Sequence, residues 1–129
     1  ELKKDADFIV VDKHGEITSE KMAMGYLFDG KATMVVGTHT HVPTSDHRIL
    51  EKGTAYQTDV GMCGDYNSVI GMNKDNSLKK FLKDPSAIKH HPAIGEATLS
   101  GLLVIADDKS GLAKKVQPII IGESLENRL

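Results

Sequence analysis

The apolar run Thr33-Met34-Val35-Val36 leads directly into Gly37-Thr38-His39-Thr40-His41. Four mostly apolar residues followed by glycine and polar residues read as a buried strand and its exit. Residues two apart on an extended chain point to the same side. His39 and His41 can therefore face one point just past the strand's carboxyl end, where open α/β sheets place their ligands. A second apolar run, Phe8-Ile9-Val10-Val11, is followed closely by His14. His14 and His39 are 25 residues apart, the length of one helical crossover. A His-x-His pair alone is more often a surface or hydrogen-bonded pair than a ligand set. With His14 added, the pattern points to a metal site, and the three imidazoles are expected to converge at one sheet edge.

The rest of the chain supports an α/β fold in its first half. A strand is expected over Phe8–Asp12, then the loop Lys13–Glu16. A helix follows, capped by Thr18 or Ser19. Met22, Ala23, Tyr26 and Leu27 would form its apolar face, and Asp29-Gly30 would end it. The strand Ala32–Val36 should lie parallel to the first through a right-handed crossover. Val42-Pro43 stops it. A polar stretch then runs to Lys52-Gly53, before a short strand over Thr54–Thr58. The loop Val60–Met72 holds three glycines, which predicts backbone held close to other atoms. In the second half, Asn76 or Ser77 caps a short helix through Leu82, residues 84–96 are irregular, and Ala97–Ala106 and Leu112–Ile121 form a hairpin around a five-residue loop. The tail Gly122–Leu129 reads as surface. No repeat or low-complexity segment is visible.

The 129 residues amount to a single domain, 1–129, and can bury a core. A net charge of −2 offers no general basic field for gripping nucleic acid. No stretch approaches the roughly 18 apolar residues of a membrane helix. The amino end, Glu1-Leu2-Lys3-Lys4-Asp5, has no signal-peptide core and looks like a cut helix end. Its first residue is not Met, which predicts a processed terminus or part of a longer chain. Cys63 is the only cysteine, which fits a reducing cytoplasm.

Candidate carboxylates for the metal site are Asp12, Glu16 and Asp59. Asp12, two residues before His14, could orient a ligand or simply cap the strand end. Thr38 and Thr40 are expected to hold the loop through hydroxyl-to-backbone bonds. His47, beside Asp46 and Arg48, reads as a solvated surface residue, as does His90-His91 before Pro92. Cys63 has no basic neighbour that would activate it and reads as a small residue in a tight loop.

Gly37-Thr38-His39-Thr40-His41 resembles the Gly-His/Thr-x-His motif that closes the metal site of calcineurin-like metallophosphoesterases. A longer set of motifs narrows the resemblance. Val11-Asp12-Lys13-His14-Gly15-Glu16-Ile17-Thr18-Ser19-Glu20-Lys21, Val36–Pro43, Arg48-Ile49-Leu50, Gly53-Thr54-Ala55-Tyr56 and Thr58-Asp59-Val60-Gly61-Met62 occur in order. Together they resemble the bacterial YmdB-type 2′,3′-cyclic-nucleotide 2′-phosphodiesterase family over nearly the whole chain. The resemblance implies the carboxyl-terminal half of a layered β-sandwich flanked by helices. It implies two metal ions of Fe, Mn or Zn type, with His14 and His39 on one and His41 on the other. Asp12, Glu16, Thr38, Thr40, Asp59 and Gly61 would stand around them or along the substrate loop. The family's amino-terminal half, with its bridging glutamate and its histidine general acid, has no counterpart in this sequence. The implied substrate is a small cyclic nucleotide or phosphodiester. The full-length protein is expected to be a cytoplasmic homo-oligomer, and this half alone is expected to be inactive. The alternatives are a non-catalytic metal-binding remnant or interaction module, and a self-sufficient zinc hydrolase with three histidine ligands.

Overall fold

A computed structural model describes residues 4–128, so the first residues of the polar amino end and Leu129 lie outside the described residues. Eight elements follow in chain order: β1 (Val10–His14), α1 (Thr18–Phe28), β2 (Met34–Thr38), β3 (Arg48–Ile49), β4 (Ala55–Gln57), α2 (Lys74–Phe81), β5 (Leu99–Ala106) and β6 (Ala113–Ile121). The result is a mixed α/β molecule with two helices and two sheets. One sheet has the order β1-β2-β4-β3 and the other is the β5-β6 hairpin. β1, β2 and β4 are mutually parallel, as the crossover reading requires, and β3 is antiparallel to β4.

Both leading strands start and end two residues later than the sequence pattern predicts. The ladder between them runs on to the pair His14↔Thr38, so His14 is the last residue of a strand rather than part of a loop. Polar side chains at a sheet's end do not interrupt backbone pairing, which is why composition misplaced the boundary.

The core lies between α1 and the sheet. Ala32, Val35, Leu50 and Tyr56 form its buried centre, with Ile9, Val11, Met22, Met24 and Phe28 packed around them. Burying a side chain such as Val35 contributes about 1.5–3 kcal/mol. The helix presents a different face from the expected one. Lys21, Met22, Met24, Gly25 and Phe28 turn inward, while Tyr26 and Leu27 are 58% and 57% exposed. The reason lies at Gly25, where a Cβ would come within 2.6 Å of the Tyr56 ring. Only a residue without a side chain lets the helix approach that closely. α1 has no side-chain cap: Ile17 occupies the N-cap, and neither Thr18 nor Ser19 serves. Asp29 ends the helix as expected, its carboxylate accepting from the N–H groups of Lys52 and Thr54.

The hairpin packs on the opposite sheet face, with β6 against β3 and β4. Its connection has six residues rather than five, because β6 begins at Ala113 and the register slips between Ile105 and Ala106. β3 was hidden in a polar stretch. Two residues suffice for it because Arg48 stacks on the Tyr56 ring at 4.9 Å and bonds Asp46. α2 starts earlier than expected, with Asn73 as N-cap accepting from the Asn76 N–H. Among the described residues no helix is long and apolar enough to cross a membrane.

Candidate metal centre

β1 and β2 end side by side, and the chain after β2 turns sharply. His39 has φ 143° and His41 has φ 64°. Non-glycine residues in this region cost about 1–3 kcal/mol each, so other contacts must hold them there. Asp59, just past β4, provides those contacts. Its Oδ2 accepts from the Thr40 N–H at 2.9 Å, and its Oδ1 from the Gly61 N–H at 3.0 Å. Lys21 Nζ donates to Oδ2 at 3.0 Å from beneath, and the two side chains are 1% and 0% exposed. The peptide between the two histidines is thus clamped to a buried ion pair. Burial pushes the Asp59 carboxyl up, but the bonds from Thr40, Gly61 and Lys21 outweigh it and hold the group below its ordinary value. Asp59 therefore remains a carboxylate. Gly37 makes the arrangement possible, since a Cβ there would overlap the Thr58 carbonyl and come within 2.6 Å of Lys21 Cδ.

The imidazoles are oriented by a second set of bonds. The Thr38 hydroxyl donates to Asp12 Oδ1 at 3.0 Å. Its single hydrogen is then used, so at its 3.0 Å contact with His14 Nδ1 it accepts. A neutral His14 assigned in this way carries its hydrogen on Nδ1 and a lone pair on Nε2. That Nε2 lies 3.2 Å from His39 Nδ1, with the rings edge-on and 5.0 Å apart. His41 is treated the same way. Its Nδ1 lies 2.8 Å from the Ile70 carbonyl oxygen, which can only accept, so the lone pair is again on Nε2. A ring N–H tied to a neighbour, which leaves the lone pair on the opposite nitrogen, is how proteins prepare a histidine for a metal. The donor set also fits one ion between His14 and His39. Two bonds of about 2.0–2.1 Å at a tetrahedral angle separate their nitrogens by roughly 3.3–3.4 Å.

The structure brings together two of the three expected ligands. Among the described residues no three His, Cys, Asp or Glu side chains group closely enough to hold a metal ion. His41 follows the same turn but is anchored to Ile70. Asp12 reaches His14 only through the Thr38 hydroxyl. Thr38 bonds side chains rather than backbone, because its place opposite His14 aims its hydroxyl across the strand pair. Thr40 does hold the loop, donating to the Val42 carbonyl at 3.0 Å. Asp59 works below the loop, Gly61 supplies its N–H, and Glu16 is exposed on the β1–α1 turn, outside these bonds. His47 is half-buried rather than solvated, with Nδ1 buried and lacking a hydrogen-bond partner. His90 is exposed. Cys63 is exposed in its loop, its Sγ 3.5 Å from the Ser100 carbonyl.

Lys21 is the functional residue that sequence reasoning missed. A lysine in a helix is normally solvated. The available signal was its spacing of four from Gly25, which puts both on the face that meets the sheet.

Comparison with known proteins places the chain in a family. A family model described as YmdB-like protein matches residues 1–119. The 2′,3′-cyclic-nucleotide 2′-phosphodiesterase of Bacillus subtilis (strain 168) is 46% identical over 123 residues, covering 95% of this chain and 46% of that protein. A novel phosphatase from Mycoplasma pneumoniae, known from its crystal structure, matches with a TM-score of 0.82 and 43% identity, over 94% of this chain and 43% of that one. A hypothetical protein from Thermus thermophilus gives a TM-score of 0.81 and 40% identity, over 95% and 48%. The chain spans slightly less than half the length of these relatives.

Proposed function

We propose that this chain, which belongs to the YmdB-like family, forms the histidine-bearing part of a metal-dependent phosphodiesterase that hydrolyses 2′,3′-cyclic nucleotides. Its α1–sheet–hairpin layers would be part of a metallophosphoesterase sandwich. Remaining ligands and the general acid would come from sequence matching the rest of the relatives' length. Two ions of Fe, Mn or Zn type would sit at the carboxyl ends of β1 and β2, one on His14 and His39 and the other on His41. When bound, such ions polarise phosphoryl oxygens and lower the pKa of a bound water.

The chain's own residues do the preparatory work. Asp12, through Thr38, keeps the His14 hydrogen on Nδ1. The Ile70 carbonyl does the same for His41. Asp59 and Lys21 hold the backbone of His39–His41 in its strained course. The acid that protonates the leaving oxygen is proposed to come from the remaining length of the relatives, so the chain alone is proposed to be inactive.

The observation that carries this reading is the 3.2 Å approach of His14 Nε2 to His39 Nδ1, with the His14 tautomer fixed by Thr38 and Asp12. The test is hydrolysis of 2′,3′-cyclic AMP by the full-length protein supplied with manganese or iron, with metal content measured alongside. His14→Ala and His39→Ala should each lose metal and turnover together. Full turnover without bound metal would refute the reading.

A further inference from the structure

The turn Val69-Ile70-Gly71-Met72 that anchors His41 also borders an open groove. Val69 and Met72 exchange two backbone hydrogen bonds of 2.9 Å, and both central residues have positive φ, 50° at Ile70 and 91° at Gly71. A β-branched residue is a genuine outlier there. The strain points the Ile70 carbonyl at His41 and leaves the Ile70 side chain on the groove. Val69, Ile70, Met72, Phe81, Lys80 and His90 line this groove, whose volume is about 660 Å³. That lies within the roughly 300–1,000 Å³ of small-molecule sites. Phe81, at the end of α2, is 84% exposed. Lys79, Lys80, Lys83 and Lys89 lie on or beside the same helix, a local positive field that the whole-chain charge of −2 conceals.

Aromatic and aliphatic faces beside cations, one hydrogen bond away from a candidate metal ligand, match one kind of occupant. An exposed aromatic ring offers a stacking platform that accepts any nucleobase. Lysine is a point-charge partner for phosphate. We propose that this groove is a nucleoside subsite, and that it takes a short oligoribonucleotide ending in a 2′,3′-cyclic phosphate. The base stacks on Phe81 between Val69 and Ile70. The next phosphate along the chain pairs with Lys80 and His90 while the cyclic phosphate reaches the histidines. The proposal rests on the phosphodiesterase reading above and deepens it.

The test uses the full-length protein and three slowly hydrolysed phosphorothioate ligands, with binding read before turnover: the analogues of 2′,3′-cyclic AMP, of the adenosine dinucleotide ending in a 2′,3′-cyclic phosphate, and of glycerol 1,2-cyclic phosphate, which has no base. Dissociation constants report binding whether or not the protein turns over. The dinucleotide analogue should bind about tenfold tighter than the mononucleotide. Phe81→Ala should weaken both nucleotide analogues about tenfold and leave the glycerol analogue unchanged. Lys80→Gln should remove the dinucleotide's advantage alone. Phe81 is exposed and Lys80 is half-buried at the groove, and an unchanged melting temperature will show that the variants fold. Equal changes for all three ligands, or no change, would overturn the subsite, as would a groove occupied by another part of the protein. Nucleotide binding without hydrolysis would keep the subsite and defeat the proposed activity.

Discussion

Residues 10–61 and residues 62–98 both carry histidines, in opposite circumstances. In the first region, His14, His39 and His41 lie at or just past parallel strand ends, and bonded neighbours fix their environment. In the second, His90 is exposed beside an open groove. An imidazole gains a defined lone pair only where a carboxylate, hydroxyl or carbonyl disposes of its other hydrogen. For His14 the first region supplies those partners, because β1 and β2 are paired to their last residues, whereas His41 takes its carbonyl from Ile70 in the second. Apart from that carbonyl and the Lys89 carbonyl beside His91 Nδ1, the second region supplies apolar surface and lysines, which suit recognition rather than coordination.

The sharpest way to break this contrast is at the buried pair. Asp59→Ala leaves Lys21 charged, enclosed and unpaired, and frees the Thr40 and Gly61 N–H groups. Stability should fall by about 3–5 kcal/mol, read from urea unfolding midpoints. Phe81→Ala, in the second region, should change stability by no more than about 0.5 kcal/mol in the same assay. Gly37→Ala comes next. It forces the Thr58 carbonyl and the Lys21 stem apart, and should cost about 1–3 kcal/mol, visible as a lower melting temperature.

Thr38→Val separates orientation from folding. The methyl group replaces the hydroxyl that links Asp12 to His14, so metal affinity should drop about 10–100-fold. Calorimetric titration with manganese would measure it. Affinity equal to wild type would remove Thr38 from the site.

A smaller effect concerns pH. Burial raises the Asp46 carboxyl, but the Thr44 and Thr58 hydroxyls, the Thr58 N–H and Arg48 more than offset this and leave it below the ordinary 3.8. A carboxyl lowered by folding contributes stability that is fully present above about pH 4 and is lost as pH falls through its folded value. Asp46→Asn should therefore flatten the loss of stability below about pH 4, measured by denaturant unfolding across roughly pH 2–6.

Much of the first region was legible in the chain. Two apolar runs separated by one helix length predict the parallel pair, and His-x-His after the second predicts where the imidazoles emerge. What sequence concealed was tertiary. Lys21 turns inward only because Asp59, 38 residues later, waits beneath the loop. Tyr26 and Leu27 lost the inner face because Gly25 allows a closer approach to Tyr56 than any side chain would. His41 was expected beside His39 by strand alternation, yet the strand ends at Thr38 and positive φ values redirect the chain. Alternation holds only while the backbone remains extended. In the second region, the groove brings together residues from the 69–72 turn, α2 and the 84–96 loop, and no local spacing announces it.

The most direct measurement is metal content and hydrolysis of 2′,3′-cyclic AMP by full-length His41→Ala and His47→Ala proteins, side by side. The account predicts that His41→Ala loses bound metal and turnover together, while His47→Ala keeps both. Equal retention of metal and activity in the two variants would contradict it.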